Sequence, residues 1–218
     1  VPSPQPVVTI SAAYGAGGSA VAPELARRWR VPFIDRLLSA DVSEEASSSV
    51  KAAASTEGLS EEEAATTPGS RLFTYLARAA GVGAIATPEP VVEPEEELRA
   101  QSEAGLADLH EGSGGVVLGR AGAVVLRDHP HAYHIRLDGP KERRITAAAA
   151  LEHITEERAA ERLARTDRAR ELWVRRLYRA DALDPCWYHL WLDSTVLGFD
   201  GTVEVVAFAV DRWRAADR

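Results

Sequence analysis

The 218-residue sequence contains no methionine and a single cysteine, Cys186. One thiol cannot form an internal disulfide, which excludes a disulfide-rich secreted scaffold. No run approaches the roughly 18 uncharged apolar residues of a membrane-spanning helix, and residues 1–6 lack the basic and apolar regions of a signal peptide. We therefore expect a cytoplasmic protein without a membrane partner. Because the initiating methionine is absent, the presence of an upstream segment stays open.

Positive charge is in the minority, since 25 Lys and Arg stand against 33 Asp and Glu and give a net charge of −8. This balance argues against non-specific binding to nucleic acid. The signs are unevenly distributed: acidic residues crowd 41–63 and 89–97, whereas ten arginines lie within 141–179. A basic segment in an acidic protein predicts a small anionic ligand.

The most informative stretch runs from Val7 to Ser19. Its first four residues are all β-branched and three of them are apolar, which favours a buried strand, and three glycines follow within four residues. Glycines let successive main-chain N–H groups converge, and the positive end of the next helix adds to the attraction for an anion. We predict that the backbone of five residues binds phosphate: Gly15, Ala16, Gly17, Gly18 and Ser19. A simple tight turn is the alternative.

The spacing of this loop matches the phosphate-loop pattern with two substitutions, the first of which is Ala12 in place of the leading glycine. In the frame Ala12, four residues, Gly17-Gly18-Ser19, Gly18 replaces the usual lysine and Ser19 takes the place of the magnesium-binding hydroxyl. Pro23 follows near the start of the predicted helix. Because proline cannot donate to the Ser19 carbonyl, we expect a late start or a kink there.

Four further apolar stretches predict strands, at 31–35, 114–120, 132–137 and 187–193, and helical patterns separate several of them. This alternation predicts an α/β fold with a mainly parallel sheet and helices on both faces. Asp35 and Arg120 fall at the ends of two of these strands, where ligands bind in open α/β sheets. A helix cap is the alternative role for Asp35.

The second informative stretch is the arginine-rich segment 165–170. It is interpreted either as a solvated helix paired with nearby glutamates or as a lid whose arginines neutralise phosphates. The lid interpretation requires Arg168 and Arg170 to converge, although their spacing places them on different sides of a regular helix. The histidines at 129, 131 and 134 have no adjacent acidic or cysteine partner, so we predict no metal site from them.

Taken together, these stretches resemble the cytidylate kinase-like branch of the P-loop nucleoside monophosphate kinases. Four blocks carry the resemblance: 9–18, 31–35, 116–120 and 192–197. In addition, 165–170 is similar to the arginine lid of that group, and 96–112 to the helix before its Gly-Arg strand. The resemblance implies one kinase-like domain over 1–218 with the three-layer P-loop NTPase fold. Its core would span 7–38 and 114–213, with a helical acceptor-binding insertion at about 40–112 and a lid at about 153–180.

The resemblance also implies a chemistry: transfer of the γ-phosphoryl group of ATP, with Mg²⁺, to a (deoxy)cytidylate-like or other small anionic acceptor. Arg168 and Arg170 match the lid arginines and are the expected catalytic residues. Asp35, Arg120 and Arg144 match residues that bind the substrate in that group. The acceptor is not identified by the sequence, and a homodimer stays an open alternative.

The loop departs from the family pattern Ser-Arg-Glu-Tyr-Gly-Ser-Gly-Gly-Arg, because Ala12 and Ser19 stand where it has arginines. Ala121 stands where cytidylate kinases have aspartate, and the second arginine expected beyond Arg144 is missing. Each lost charged contact to phosphate is worth roughly 1.5–3 kcal/mol. A degenerate kinase that binds a nucleotide or a protein without turnover is therefore the second hypothesis, and a purely structural domain is the third.

Overall fold

Helices pack on both faces of a parallel sheet. The structure, a computed structural model, describes residues 5–34, 114–119 and 121–216 and the four positions 99, 103, 106 and 109. The strands in these residues are β1 (Val7–Ala12), β2 (Phe33–Ile34), β3 (Gly115–Leu118), β4 (Ala132–Asp138) and β5 (Leu190–Asp193). The helices are α1 (Gly18–Trp29), α2 (Gly122–Val125), α3 (Lys141–Glu152), α4 (Glu156–Tyr178) and α5 (Ser194–Ala216), with a 3₁₀ turn at Pro185–Trp187.

The five strands form a sheet of order β2-β3-β1-β4-β5 in which every neighbouring pair is parallel. β1 lies at the centre and pairs with β3 and β4 along its length. The predicted α/β class and parallel sheet are confirmed. Because all strands run the same way, the loops that follow β1, β3, β4 and β5 meet at one edge of the sheet.

One face of the sheet is apolar and carries the main core. Val8, Ile10 and Ala12 of β1 point to this face and pack with apolar residues of α1 and α5. The opposite face is more polar, because alternate residues of β1 and β4 on that face are polar, beginning with Thr9 and Ser11 in β1. Alternation of side chains along a strand separates the two surfaces. The polar residues therefore lie together on one face, beneath α2 and α4.

His134 of β4 lies in this polar face and is almost fully buried. Its Nδ1 lies 2.8 Å from the Thr9 hydroxyl, its ring stacks on His189 at 5.0 Å, and it hydrogen-bonds the backbone of Leu126. Burial lowers the pKa of His134 from 6.5 to about 4, with a further contribution from the neighbouring His189. The imidazole is therefore neutral in the folded protein at neutral pH.

We expect acid to destabilise the fold through His134. Below pH 6.5 the unfolded chain takes up a proton at this residue that the folded protein does not, so stability is complete above that pH and falls as pH drops toward 4. Between pH 6.5 and 5 the loss should reach about 2 kcal/mol. Urea unfolding at several pH values measures it, and His134→Gln should flatten the slope. A wild-type free energy of unfolding that is constant from pH 7 to 5 would contradict this assignment.

Three boundaries differ from the sequence predictions. α1 begins at Gly18 and continues through Pro23, so the late start was wrong. β5 begins at Leu190, because Pro185–Trp187 form a 3₁₀ turn that Asp184 caps through its side chain. The sequence from 201 to 213 predicts a closing helix, and in the structure this helical segment begins earlier, at Ser194, and is broken at Gly198, whose φ is 67° and ψ −176°.

Several predictions lie outside the described residues, namely Asp35, Arg120 and nearly all of the insertion at 40–112. Within that insertion, Leu106 and Leu109 are described, and both are buried against Val7 and Val117 of the sheet. None of the described helices has the length and apolar character needed to cross a bilayer.

Candidate functional site

The glycine loop connects β1 to α1 at the carboxyl edge of the sheet. Gly15 and Gly17 have positive φ angles of 76° and 75°, and Gly17 is the N-cap of α1 without a side-chain cap. Ala16 donates its N–H to the Ala13 carbonyl. The N–H groups of the other four predicted residues, Gly15, Gly17, Gly18 and Ser19, donate to no acceptor among the described residues. Four main-chain donors at a helix N-terminus are thus available to an anion.

The glycine loop packs closely against α3 and α5. A Cβ built on Gly15 would fall 2.2 Å from the main-chain carbonyl oxygen of Arg144, whereas one built on Gly17 meets nothing within 4 Å. The Ser194 hydroxyl, at the start of α5, donates to the Ala16 carbonyl at 2.8 Å. One side of the loop is therefore fixed against α3 and α5, and the space beside Gly17 is open.

A carboxylate from α4 holds the first part of the loop. Asp167 Oδ1 accepts the Tyr14 N–H at 2.8 Å, and Asp167 Oδ2 accepts from Arg144 Nη1 at 2.6 Å. Arg144 Nη1 also donates to the Tyr14 carbonyl at 3.0 Å, and Arg144 Nε donates to Gly139. Asp167 and Arg144 therefore bind both main-chain groups of Tyr14 and join the loop to α3 and α4.

The Tyr14 side chain is a further anchor. It is buried among Ala148 and Ala149 of α3 and Ala159 and Leu163 of α4. Burial, reinforced by the nearby Glu152 carboxylate, raises the pKa of the Tyr14 hydroxyl well above its ordinary value of 10. The phenol is therefore protonated throughout the range in which the protein would work.

Charged residues continue from Arg144 across the polar face of the sheet. Arg144 Nε lies 3.6 Å from Asp138 Oδ1, and Arg136 donates to Asp138 Oδ2 through Nε and Nη2. Arg136 also donates from Nη1 to the Ser11 hydroxyl at 3.0 Å. Together with Asp167, these side chains form an alternating series of two arginines and two aspartates from α4 to β1.

A cavity lies beside this series, between the polar face of the sheet, α2 and α4. Arg136 and Arg170 both line it, together with Ser11, Ala12 and Tyr188. Arg170 comes from α4 and donates to the Ala12 carbonyl at 3.0 Å. The carboxyl end of β1 thus separates two neighbouring features: the open amides of the glycine loop and a cavity containing two guanidinium groups.

A third cluster follows β5. Arg143 of α3 hydrogen-bonds Asp193 and Thr195, and the Thr195 hydroxyl donates to Asp193 Oδ1 at 2.6 Å. The hydrogen bond from Thr195, followed by the Arg143 guanidinium, lowers the pKa of the exposed Asp193 carboxyl. These contacts flank Ser194 and fix the residue that supports the glycine loop.

Comparison with known protein families identifies the family of this chain. The sequence matches the cytidylate kinase-like family over residues 7–196. This chain belongs to that family. No curated protein matches the sequence.

Solved structures resemble this cytidylate kinase-like chain at low identity. A protein from Eubacterium ventriosum described as uncharacterized is 16% identical, with a TM-score of 0.55 over 95% of this chain and 99% of that one. A shikimate kinase from Bacteroides thetaiotaomicron is 12% identical, with a TM-score of 0.46 and 96% of each chain covered. A deoxyadenosine kinase from M. mycoides is 14% identical, with a TM-score of 0.37 over 94% of this chain and 98% of that one.

The sequence-predicted arginines of this cytidylate kinase-like chain have different environments. Arg170 lies at the cavity, and Arg144 lies beneath the glycine loop, 11% exposed in its side chain. Arg168 is exposed on α4 and makes no hydrogen bond or ion pair with the rest of the described chain. The structure does not bring Arg168 and Arg170 together, because residues two positions apart point to different sides of a regular helix.

Sequence reasoning missed Asp167 and Arg136, although both carry a signal. Asp167 is the acidic residue inside the arginine-rich segment, and Leu163, Asp167 and Arg170 follow one side of α4 at helical spacing. Arg136 interrupts an otherwise apolar stretch, and its spacing of two from His134 identifies a polar face of β4. In both cases the available signal was a charged residue on the side of a helix or strand that its neighbours predict to be buried.

Proposed function

We propose that the protein is a phosphotransferase that binds the phosphates of ATP on the glycine loop and transfers the γ-phosphoryl group to a small anionic acceptor, a cytidylate-like nucleotide by family. The observation that carries the proposal is the set of four open N–H groups at Gly15, Gly17, Gly18 and Ser19. Main-chain donors at a helix N-terminus suit phosphate oxygens and need no side chain. The adjacent cavity with Arg170 offers a second anionic group a place beside the loop.

The loop fits a nucleotide phosphate on steric grounds. The space beside Gly17 is open to at least 4 Å from a built Cβ, so a phosphate can approach the main chain. The Ser19 hydroxyl, in the first turn of α1, would be the ligand for Mg²⁺. When bound, MgATP supplies the phosphoryl group and the divalent charge that offsets its negative oxygens. The protein itself positions the donor by the loop amides and stabilises charge through arginine.

Arg170 is proposed to stabilise the transferred group, since its guanidinium already lies at the carboxyl end of β1. Arg168 would reach the same place only if α4 moved, as in a lid of about 153–180. Asp35 and Arg120, which follow β2 and β3, are proposed to contact the acceptor with Arg144 holding the loop. The helical insertion at about 40–112 would cover that acceptor.

Binding without turnover is the second candidate. Gly18 occupies the lysine position, and the Arg144 guanidinium is bound to Tyr14 and Asp167. The lysine that normally contacts the transferred phosphate is thus missing, and the loop itself offers only main-chain donors. A protein of this kind would bind ATP through the loop and transfer no phosphoryl group.

We expect calorimetric titration to detect ATP binding that strengthens with Mg²⁺, and a coupled assay with nucleoside monophosphates to detect turnover. Arg170→Ala should lower kcat by about 10² to 10³, the usual cost of one transition-state contact. Arg168→Ala tests the lid directly, and exposed Arg212→Gln is a charge-matched control. ATP binding without turnover supports the second candidate, and the absence of binding to any nucleotide contradicts both.

A further inference from the structure

The cavity beside β1 contains an arginine that neither the family resemblance nor the glycine loop assigns. We infer that Arg136 is an acceptor-binding residue that holds the phosphate monoester of the acceptor together with Arg170. This inference rests on the proposed function and specifies which residues of the cavity recognise the substrate. It also explains how a chain that lacks the two loop arginines retains positive charge near the reacting groups.

Three residues hold the Arg136 guanidinium in one orientation. Nε and Nη2 donate to Asp138, Nη1 donates to Ser11, and the group lies 5.7 Å from the ring centre of Trp191. A guanidinium carries five N–H groups, and these hydrogen bonds use three of them. The other two N–H groups have no acceptor in the part of the chain that the structure describes, and the residue lines the cavity. A fork of this kind, fixed before the ligand arrives, binds phosphate well because little order is lost on binding.

Burying Arg136 costs folding free energy that a purely structural role would not require. The residue is 8% exposed and lies on a central strand, with Ser11 and Trp191 opposite it on the neighbouring strands. Burying a charge pair rarely stabilises a protein more than well-packed apolar side chains of similar volume. The Arg136–Asp138 pair is thus better explained by ligand binding than by stability.

The rest of the cavity indicates the chemical class of the ligand. Arg170 comes from α4 and Arg136 from β4, so arginines from two different elements line one space. The wall formed by Ala123, Val124 and Val174 is apolar and small-chained. Such a lining suits a compact molecule with one dianionic end, and a phosphate monoester fits it better than an uncharged nucleoside. The cavity adjoins Ala12, where the phosphate-binding loop begins, as transfer between two bound phosphates requires.

The test is calorimetric titration of the full chain with CMP, cytidine, inorganic phosphate and ATP, for wild type, Arg136→Gln and Arg136→Lys. We expect Arg136→Gln to weaken CMP binding by about 10- to 100-fold, the value of a charged hydrogen bond, and to leave ATP affinity within about twofold. Arg136→Lys should recover part of the loss. Cytidine should bind both proteins equally weakly. Arg212→Gln, on the exposed side of α5, is the charge-matched control, and thermal unfolding of each variant reports its folding.

The outcomes separate this inference from the proposed function. Equal CMP affinity in wild type and Arg136→Gln, or equal losses for CMP and ATP, overturns the role of Arg136. A wild-type protein that binds ATP but no monophosphate overturns the acceptor site and leaves nucleotide binding intact. CMP binding that depends on Arg136 without any turnover supports the inference and contradicts the transferase. If Arg136→Gln does not fold, Ser11→Ala, which removes one restraint on the guanidinium without changing charge, should still weaken CMP more than ATP; equal affinities would overturn the inference.

Discussion

Replacing Asp167 with alanine is expected to lower the free energy of unfolding by about 3 kcal/mol and to weaken the proposed binding of ATP to the glycine loop. The carboxylate accepts from the Tyr14 N–H and from the Arg144 guanidinium, whose side chain is 11% exposed. Its loss leaves a largely buried charge with one fewer partner and frees the main chain at the start of the loop. Such an uncompensated charge costs more than the intact pair contributes.

Two control variants distinguish the parts of this effect. Asp167→Asn keeps an oxygen for Tyr14 but loses the charge opposite Arg144, so it should fall between wild type and alanine. Glu24→Ala removes a carboxylate from an exposed ion pair with Arg27 and should cost less than about 1 kcal/mol. Thermal unfolding followed by ATP titration measures both quantities. If Asp167→Ala is no less stable than Glu24→Ala, Asp167 does not anchor the loop.

The fold was predictable because its signals are local. β1, β3 and β4 are short stretches rich in apolar residues, and glycine marks where β3 and β4 end. The errors arose where one local feature competed with another. Pro23 suggested a disturbed helix, yet α1 includes it, since its apolar face packs on the sheet and outweighs one missing hydrogen bond.

The site was less predictable because its residues act across long separations. Asp167 contacts a main-chain N–H 153 positions away, and Arg136 contacts a hydroxyl 125 positions away. Composition and spacing identify arginines that can bind anions. They do not identify the carboxylates with which those arginines already form ion pairs in the folded protein. Arg144 illustrates the difference: the sequence predicted a substrate ligand, and in the structure its guanidinium binds Tyr14, Gly139 and Asp167.

Gly15→Ala is expected to destabilise the protein by about 4 kcal/mol, more than Asp167→Ala, and to abolish the proposed anion binding by the loop. The added methyl group would lie 2.2 Å from the carbonyl oxygen and 2.8 Å from the carbonyl carbon of Arg144. Both are main-chain atoms of α3, so they cannot move aside as a flexible side chain does. The positive φ of 76° adds a cost for any residue with a Cβ.

Gly17→Ala distinguishes the steric contribution at Gly15 from the backbone contribution. Its φ of 75° is nearly the same, but nothing lies within 4 Å of the added methyl group, so only the backbone cost of about 1 kcal/mol applies. In a protein of this length, each kcal/mol corresponds to about 2–4 °C in Tm, so thermal unfolding should resolve the pair clearly. Equal losses for the two variants would mean that backbone strain alone explains Gly15 and that the loop is not packed against Arg144. A much larger loss at Gly15 would establish that the loop packs against the main chain of α3 at Arg144.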